Sequence, residues 1–325
     1  MTNNTETHPA DGSQSRATEM PLVSVGIPVY NRASLLDARI ANVLGQTHRN
    51  IQVIISDNAS TNREMQAVIG KWAAADSRVQ AHLQPENLGS YRNFLFVMNQ
   101  ARGPYFVWAA DDDNWDDDFI ETCLRGIGAA QLFMPDMATH FMATGQIDPI
   151  PVPSLSLTAT TYQNAVCFLR NMQPGLIYGL HEMGGLKAVM PVDAFDLSDV
   201  FTVYAAVLEQ GVITGSGSQY RAGVVDAVYQ IKPFGRAGST DKLSYRRFLI
   251  RSFQVMAASR KLGQVEKARL ALLTLSATLA TLKHLTQTYP HVARPHHLVL
   301  TWLLSTPDAV AKSLRRTGIR NWFRR

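Results

Sequence analysis

Cysteine is scarce in this sequence, and the cysteines present form no known motif. The 325 residues include only Cys123 and Cys167, which make neither a CxxC pair nor a zinc-ligand spacing. This spacing excludes a CxxC redox motif and a zinc ribbon. We interpret both residues as buried free thiols, which fits a reducing compartment.

Long apolar runs are also missing. The longest, LALLTLSATLATL at 270–282, is shorter than the ~20 residues of a membrane-spanning helix and is interrupted by threonine and serine. Residues 1–20 are polar and lack the apolar core of a signal peptide, so we expect a disordered N-terminal tail there. The sequence therefore predicts no membrane crossing.

Charge is unevenly distributed, and two patterns that would indicate other functions are absent. The net charge is +5, yet six basic residues and no acid lie between Lys312 and the C-terminus. The nine histidines show no metal-ligand spacing, and no array of basic and aromatic residues marks the first half of the chain. Nucleic acid is therefore not an expected partner.

Strand and helix patterns alternate along the first 130 residues. Apolar, β-branched runs separated by amphipathic helical patterns predict strands at 22–31, 51–56, 79–83 and 104–110. This β-α-β order is typical of an α/β fold, with an open, twisted, mainly parallel sheet flanked by helices. Tyr30 with Asn31, Asp57 with Asn58, and 111–113 follow strand ends, so we expect them to meet at one edge of the sheet.

The rest of the chain contains further predicted elements and a helical C-terminal extension. The patterns predict a helix at 117–127, a strand at 131–143, a loop at 144–160, helices at 161–172 and 197–210, and strands at 211–221 and 224–232. From Lys242 onward the chain is predicted to be helical, with breaks near Gly263 and at 290–295. We therefore predict a domain at 21–240 and a helical region at 241–325.

The most unusual segment is a run of aspartates. WAADDDNWDDDF, at 108–119, holds six aspartates between Asp111 and Asp118, with no lysine or arginine among them. Oxygen ligands in a short acidic turn suit Mg²⁺ or Mn²⁺. We assign 111–113 to ligand chemistry and 116–118 to the start of the next helix. The alternative is a solvated acidic loop.

Four motifs in series resemble a known family. PLVSVGIPVYNR, IQVIISDNAST, ENLGSYRNF and GPYFVWAADDDNWDDDF are similar to the nucleotide-binding half of the family 2 glycosyltransferases, which have the GT-A fold. The resemblance is close over 21–125 and loose over 126–235. It implies an inverting, metal-dependent transferase for nucleotide-diphosphate sugars, with Mg²⁺ or Mn²⁺ as cofactor and a saccharide or lipid-linked acceptor.

The resemblance also implies which residues bind the donor. Its nucleotide contacts match Pro28, Val29, Tyr30, Arg32, Asp57 and Arg92. Alignment on Trp115 assigns Asp111 to the ribose and Asp112 to the metal, with Asp113 as a supporting or alternative metal ligand. The first acid of the family's metal motif is replaced here by Ala110.

Downstream, the resemblance implies a general base and acceptor contacts. Asp199 matches the base, with Asp196 as the fallback, although the acid that usually precedes the base is Ser198. The alternative is that Asp199 only stabilises a helix N-terminus. His181 and Glu182 fall where relatives contact the acceptor, but such a histidine can instead pack in the protein. Lys232 and Arg236, in the loop 232–240, are either phosphate contacts or solvated.

The C-terminal tail, 308–325, has the pattern of a basic amphipathic helix. It can lie on an anionic membrane or pack on the domain, and we expect a cytoplasmic enzyme that is peripheral to the inner face of the membrane if the tail binds there. The resemblance implies surface polysaccharide or glycoconjugate assembly. A phosphotransferase would need a P-loop or acidic nucleophile, which PVYNR lacks, whereas a catalytically decayed nucleotide-sugar-binding or scaffold protein stays open.

Overall fold

The computed structural model describes residues 20–195, 197–224 and 245–288. Within them the chain runs β1 (Val23–Val29), α1 (Ala33–Leu44), β2 (Ile51–Asp57), α2 (Arg63–Ala75), β3 (Val79–Leu83), α3 (Ser90–Asn99), β4 (Tyr105–Trp108), β5 (Asn114–Trp115) and α4 (Phe119–Ile127). It continues with β6 (Leu132–Phe141), β7 (Gln146–Ile150), α5 (Thr161–Asn171), a 3-10 helix (Pro174–Tyr178), β8 (Leu180–Glu182), α6 (Met183–Val189), α7 (Ser198–Glu209), β9 (Val212–Val224), α8 (Arg246–Ala258) and α9 (Gln264–Thr288).

The described strands form one mixed, mainly parallel sheet. Its order is β3-β2-β1-β4-β8-β6-β9-β5, and β7 pairs with the outer part of β6. The strands β1, β2, β3 and β4 are parallel neighbours, whereas β8 runs antiparallel between β4 and β6. The predicted α/β class with an open, mainly parallel sheet is confirmed.

Burial explains why the first two strands read as continuous apolar runs. Every residue of β1 and β2 is buried, because helices cover both faces of a parallel sheet. The helix α1 faces the sheet through the side chains at the expected spacing, including Leu36, Ile40 and Val43. Arg39 is buried on the same helix, which the apolar pattern did not predict.

Several short elements were absent from the sequence prediction. The two-residue β5, the hairpin strand β7 in the predicted loop 144–160, and the pair β8 and α6 all appear in the structure. Each is short, and β7 is mostly exposed, so no strong apolar period marks it. Tertiary pairing with β9, β6 and β4 defines these strands instead.

The C-terminal helices pack on the sheet domain. The helices α8 and α9 contact each other, α8 packs on α7, and α9 packs on α5. The break between Ala258 and Gln264 lies at the predicted position around Gly263. None of the helices in the described part of the chain combines the length and apolar composition that a bilayer crossing requires.

Candidate active site

The carboxyl ends of β1, β2 and β4 lie side by side at one edge of the sheet. Val29 pairs with Asp57, and the backbone N–H of Ala109, just past β4, donates to the carbonyl of Gly26 in β1 (2.9 Å). Because the three strands are parallel neighbours, the residues that follow them share one rim. The structure thus brings Tyr30, Asp57 and the acidic segment 111–113 to the same edge, as the sequence predicted.

Short side chains join the first two strand ends. The backbone N–H of Asn31 donates to the Ser60 hydroxyl (2.8 Å), and Ser60 in turn donates to Asp57 Oδ1. Asn31 Oδ1 accepts from the backbone N–H of Thr61 (2.9 Å). Asp57 is 2% exposed and uses one carboxylate oxygen to hold this turn. The sequence analysis assigned no role to Ser60, although this residue lies within the motif IQVIISDNAST.

The loop after β3 is joined to the end of β2 through asparagines. Asn58 Nδ2 donates to Asn87 Oδ1 (3.0 Å), and Asn58 Oδ1 accepts from the backbone N–H of Leu88 (2.7 Å). These bonds fix the loop that leads into α3, whose first turn carries the exposed Arg92. Arg92 is thereby held at the rim, where its predicted contact with the nucleotide stays a proposal.

The nucleotide-contacting residues predicted on β1 differ in what they can offer a ligand. Tyr30 is 43% exposed, so its ring has a free face at the rim. Pro28 and Val29 lie within β1, and Val29 is 2% exposed, so its side chain cannot reach a ligand. The Val29 carbonyl also already accepts from the Asn58 N–H (3.0 Å). Of the three, only Tyr30 presents an exposed side chain.

Arg32 offsets the repulsion between the first two aspartates. Its Nη1 lies 3.0 Å from Asp111 Oδ1 and 2.7 Å from Asp112 Oδ2, so a single cationic nitrogen bridges both carboxylates. Burial raises the pKa of Asp111 to about 6 even though the Arg32 charge opposes this rise. Burial also acts to lower the pKa of Arg32, but the two aspartate charges outweigh it, and that pKa lies above its ordinary value.

Asp113 does not face this position, which corrects its assignment as a metal ligand. Its Oδ2 accepts from the Tyr220 hydroxyl (2.5 Å) and its Oδ1 from the backbone N–H of Gly223 (3.2 Å). Burial, followed by the charge of Asp112, raises the pKa of Asp113 to about 7. Asp113 therefore anchors the acidic segment to β9. The sequence could not show this, because Tyr220 lies 107 positions away along the chain.

The buried Arg39 supplies positive charge near Asp113. Its guanidinium lies 3.9 Å from the centre of the Trp115 ring and donates to Asn42 Oδ1 (2.6 Å). Burial lowers the pKa of Arg39 to about 10, and the nearby Asp113 carboxylate opposes that fall. The Trp115 ring also stacks on Phe119, so the cation is held against an aromatic face.

The second group of aspartates is only partly a helix cap. Asp118 occupies the N-cap position of α4, but it makes no capping bond to the backbone and instead accepts from the Thr122 hydroxyl (3.2 Å). Asp116 forms an ion pair with Arg221 on β9. The prediction that 116–118 initiate the helix therefore holds for the position of Asp118, while Asp116 tethers the segment to β9.

Whether a divalent cation fits this site depends on the carboxylate oxygens that converge there. Two oxygens, from Asp111 and Asp112, already converge on one cationic atom within 3.0 Å. Among the described residues no cluster of three or more acidic, histidine or cysteine side chains could hold a metal. Mg²⁺ commonly takes one or two carboxylates and completes its shell with substrate phosphates and water. The residues fit such an ion if Arg32 withdraws.

Asp199 lies at the start of α7 and accepts from the backbone N–H of Val200 (2.8 Å). Burial raises the pKa of its carboxyl group, which makes the carboxylate a stronger base. Leu197, two residues earlier, has φ 63°, a strained left-handed conformation for a branched residue. The fallback base Asp196 and the loop 232–240, with Lys232 and Arg236, lie outside the described residues.

The acceptor contacts predicted for β8 are not supported by the structure. His181 is 0% exposed, its Nε2 lies 2.8 Å from the Ile177 carbonyl, and its ring meets the Trp108 ring edge-on. Glu182 caps α6 by accepting from the backbone N–H groups of Gly184 and Gly185. His181 therefore packs in the core and Glu182 ends a strand, so neither has a side chain free for an acceptor.

Comparison with known proteins agrees with the geometry. Residues 24–174 match the model of the glycosyl transferase family 2. This segment belongs to glycosyl transferase family 2. It contains the rim, the acidic segment and the strands that carry them, whereas Asp199 and β9 lie beyond the matched residues.

Two relatives that match this segment come from bacteria. An uncharacterized glycosyltransferase of Haemophilus influenzae is 31% identical over 106 residues, which are 33% of this chain and 42% of the relative. TuaG of Bacillus subtilis, named for teichuronic acid biosynthesis, is 29% identical over 125 residues, or 38% of this chain and 46% of the relative. The chain thus spans less than half the length of these curated relatives.

Solved structures share the fold of this chain over most of its length. S. aureus TarS, residues 1–349, in complex with UDP-GlcNAc has a TM-score of 0.61 at 14% identity, covering 89% of this chain and 80% of that 1–349 chain. The mannosyltransferase PcManGT of Pyrobaculum calidifontis, in complex with GDP-Man and Mn²⁺, has a TM-score of 0.50 at 16% identity, covering 94% and 84%. At these identities the likeness is one of fold.

Proposed function

We propose that this protein is a glycosyltransferase that moves a sugar from a nucleotide-diphosphate donor to a hydroxyl acceptor, with inversion at the anomeric carbon. The observation that supports it best is the convergence of Asp111 and Asp112 on one cation position beside the exposed Tyr30. The family match and the sugar nucleotides bound by similarly folded proteins point the same way.

Each rim residue has a role in this proposal. The Tyr30 ring stacks on the base, Asp57 accepts a hydrogen bond from it with its remaining oxygen, and Asp111 contacts the ribose. Arg92, at the N-terminus of α3, contacts base or phosphate. Asp112, beside Asp111, would hold Mg²⁺ or Mn²⁺, and a bound ion would offset the charge that builds on the departing diphosphate.

Asp199 is the proposed general base. As the acceptor oxygen bonds to C1 of the donor sugar, the C1–O bond to the diphosphate breaks and the diphosphate keeps the electron pair. The acceptor proton passes to the Asp199 carboxylate, whose raised pKa suits this transfer. Attack opposite the leaving group inverts the anomeric centre.

Arg32 must leave the carboxylates before an ion can occupy the same position. Its side chain is 46% exposed, so it has room to move toward solvent or toward an arriving diphosphate. We infer that Arg32 neutralises the acidic pair in the empty site and contacts the donor phosphates in the loaded site. Metal and nucleotide would then bind cooperatively, because each displaces the guanidinium.

Donor binding can be tested by thermal denaturation with a panel of nucleotide sugars, with and without Mn²⁺. We expect at least one to raise Tm in a metal-dependent way, and Asp112→Ala to abolish the metal-dependent part. Sugar transfer by the wild type and by Asp199→Asn then tests catalysis, with at least a hundredfold loss expected in the variant. Normal turnover and metal response in Asp112→Ala would refute the metal assignment.

A second candidate is a nucleotide-sugar-binding protein that has lost catalysis. Ala110 and Ser198 favour it, since each replaces an acid of the family pattern. Metal-dependent nucleotide binding without hydrolysis or transfer toward any acceptor would select this alternative. The biological setting we propose is bacterial surface polysaccharide or glycoconjugate assembly, supported by the name of the relative TuaG.

A further inference from the structure

A small cavity lies between the segment before α7 and the face of α8. Its volume is about 130 Å³, and it is lined by Asp193, Phe195, Arg247, Ile250 and Arg251. Whole-ligand pockets have volumes of about 300–1,000 Å³. This cavity can therefore hold one group of a larger molecule, but not a complete nucleotide sugar.

The cavity carries two guanidinium groups on one side. Arg247 and Arg251 are four residues apart on α8, so they lie on the same face of the helix, and both are exposed. Among the described residues neither has a carboxylate within ion-pair distance, and Arg247 donates a long hydrogen bond to the Ala194 carbonyl (3.4 Å). Helix α8 contains no acidic residue.

The remaining lining residues restrict what can bind. Asp193 contributes one carboxylate, so two arginines and one aspartate give the lining a formal charge of +1. Phe195 and Ile250 supply apolar surface. This chemistry suits an oxyanion, phosphate or carboxylate, bonded to the planar arginine forks and attached to a carbon skeleton that packs on the apolar side.

The position of the cavity relates it to the proposed base. The Tyr91 hydroxyl donates to the carbonyl of Pro191 (2.6 Å), which ties this segment to the first turn of α3 beside Arg92. After burial, the charges of Asp193 and Asp199 are what raise the pKa of Tyr91, so both carboxylates lie near this ring. The cavity therefore lies beside the first turn of α3, and its lining residue Asp193 and the proposed base Asp199 both lie near Tyr91.

We propose that this cavity is an acceptor subsite for an anionic group, a phosphate or carboxylate on the acceptor glycan. This rests on the proposed function, because the subsite would place a neighbouring acceptor hydroxyl toward Asp199. Arg247 and Arg251 bind the oxyanion, and Asp193 disfavours acceptors that carry a second anion close to the first. The acceptor class is then an acidic or phosphate-bearing saccharide rather than a neutral one.

Direct binding tests the subsite without requiring turnover. Ligand-detected NMR at low ionic strength would compare glycerol 1-phosphate, glucuronate and glucose as probes of the full chain. We expect the first, the second or both to bind and glucose not to bind, and Arg247→Ala/Arg251→Ala to weaken that binding at least tenfold. Arg246→Ala is the matched control, since Arg246 is exposed on the same helix but does not line the cavity.

A change of opposite sign makes the test stricter. Asp193→Asn removes the only negative charge of the lining, so it should tighten binding of the charged probe two- to fivefold. Equal binding of the charged probes and glucose, or no effect of the double substitution, would overturn the proposal. An unchanged Tm of the double variant would show that its fold is intact.

Transfer assays separate this proposal from the proposed function. Once a donor is known, the double variant should raise KM for the anionic acceptor at least tenfold with a smaller change in kcat, while Arg246→Ala leaves both unchanged. A protein that binds no nucleotide sugar would refute the glycosyltransferase assignment. One that transfers equally well to neutral and anionic acceptors, in wild type and double variant alike, would refute only the subsite.

Discussion

At the scale of single residues, four carboxylates of the aspartate run 111–118 are paired with donors from other parts of the chain. Asp111 and Asp112 share Arg32, Asp113 takes Tyr220 and Gly223, and Asp116 pairs with Arg221. All of these partners lie outside the aspartate run. Repulsion among neighbouring charges is thus offset by donors from β9 and from the turn after β1.

Arg32 gives a prediction that does not depend on catalysis. Replacing it by alanine frees two carboxylates from a competing cation, and partly exposed ion pairs contribute up to ~1 kcal/mol each. We expect Arg32→Ala to bind Mn²⁺ about three- to tenfold more tightly than the wild type when no nucleotide is present. Electron paramagnetic resonance of free Mn²⁺ measures this.

The matched control for that experiment is Arg63→Ala, which removes an exposed arginine outside the ion pairs of the described residues. It should leave Mn²⁺ affinity unchanged, so that a general charge effect can be recognised. Equal affinities of wild type and Arg32→Ala would mean that the guanidinium does not compete with the ion.

At the scale of elements, β9 holds the acidic segment in position. Its residues pair with β5, donate to Asp113 and Asp116, and run alongside β6. The backbone at Gly223 approaches the Asp112 carbonyl so closely that any Cβ there would overlap it. The position of the acidic segment therefore depends on a strand more than 100 residues downstream.

Gly223→Ala tests whether the close approach of β9 controls the position of the acidic segment. The added methyl group must push the backbone of the acidic segment away, because a carbonyl oxygen of the main chain cannot rotate aside. We expect a loss of ~1–3 kcal/mol in stability and weaker metal-dependent nucleotide binding. Calorimetry and urea unfolding would measure the two effects.

The matched control is Gly70→Ala in α2, where a Cβ meets nothing within 4 Å. Alanine favours the helix by ~1 kcal/mol over glycine, so this variant should be as stable as the wild type or more so. If Gly223→Ala behaved like Gly70→Ala in both measurements, the close approach of β9 would not control the site.

At the scale of the whole molecule, buried titratable groups link stability to pH. Burial lowers the pKa of His181 to about 4, from about 6.5 in an unfolded chain. The folded state thus binds the proton less readily than the unfolded state. The stabilisation from a neutral His181 is complete above pH 6.5 and is lost as the pH falls toward 4.

His181→Gln should remove this dependence, because glutamine can still donate to the Ile177 carbonyl but does not titrate. The wild type should lose up to ~3 kcal/mol more than the variant between pH 7 and pH 4.5. Urea unfolding at a series of pH values measures the difference. Parallel stability curves for the two proteins would contradict a neutral, buried His181.

The tail belongs to the same scale, although 308–325 lies outside the described residues. Its basic amphipathic pattern predicts that deleting 308–325 lowers binding to vesicles containing anionic lipid, by about tenfold or more at low salt. Vesicle sedimentation of full-length and truncated protein tests this, with neutral vesicles as the control. Unchanged sedimentation would favour a tail that does not bind membranes.

The sequence by itself determined the fold class and which residues lie at the rim beyond the strand ends. Buried parallel strands leave unbroken apolar runs, and polar residues after such runs must gather at the carboxyl edge, so Tyr30, Asp57 and the acidic segment could be placed together. These signals are local in the chain, and periodicity or a short motif is enough to carry them.

Only the tertiary structure decided which of these side chains are free to act. In the structure, Asp113 accepts a hydrogen bond from Tyr220 and His181 is buried. Glu182 caps a helix, and Arg32 forms ion pairs with both Asp111 and Asp112. Each of these outcomes depends on contacts between residues far apart in sequence or on small differences in burial. Periodicity contains no record of such contacts, because a side chain's partner is fixed by packing and not by its neighbours in the chain.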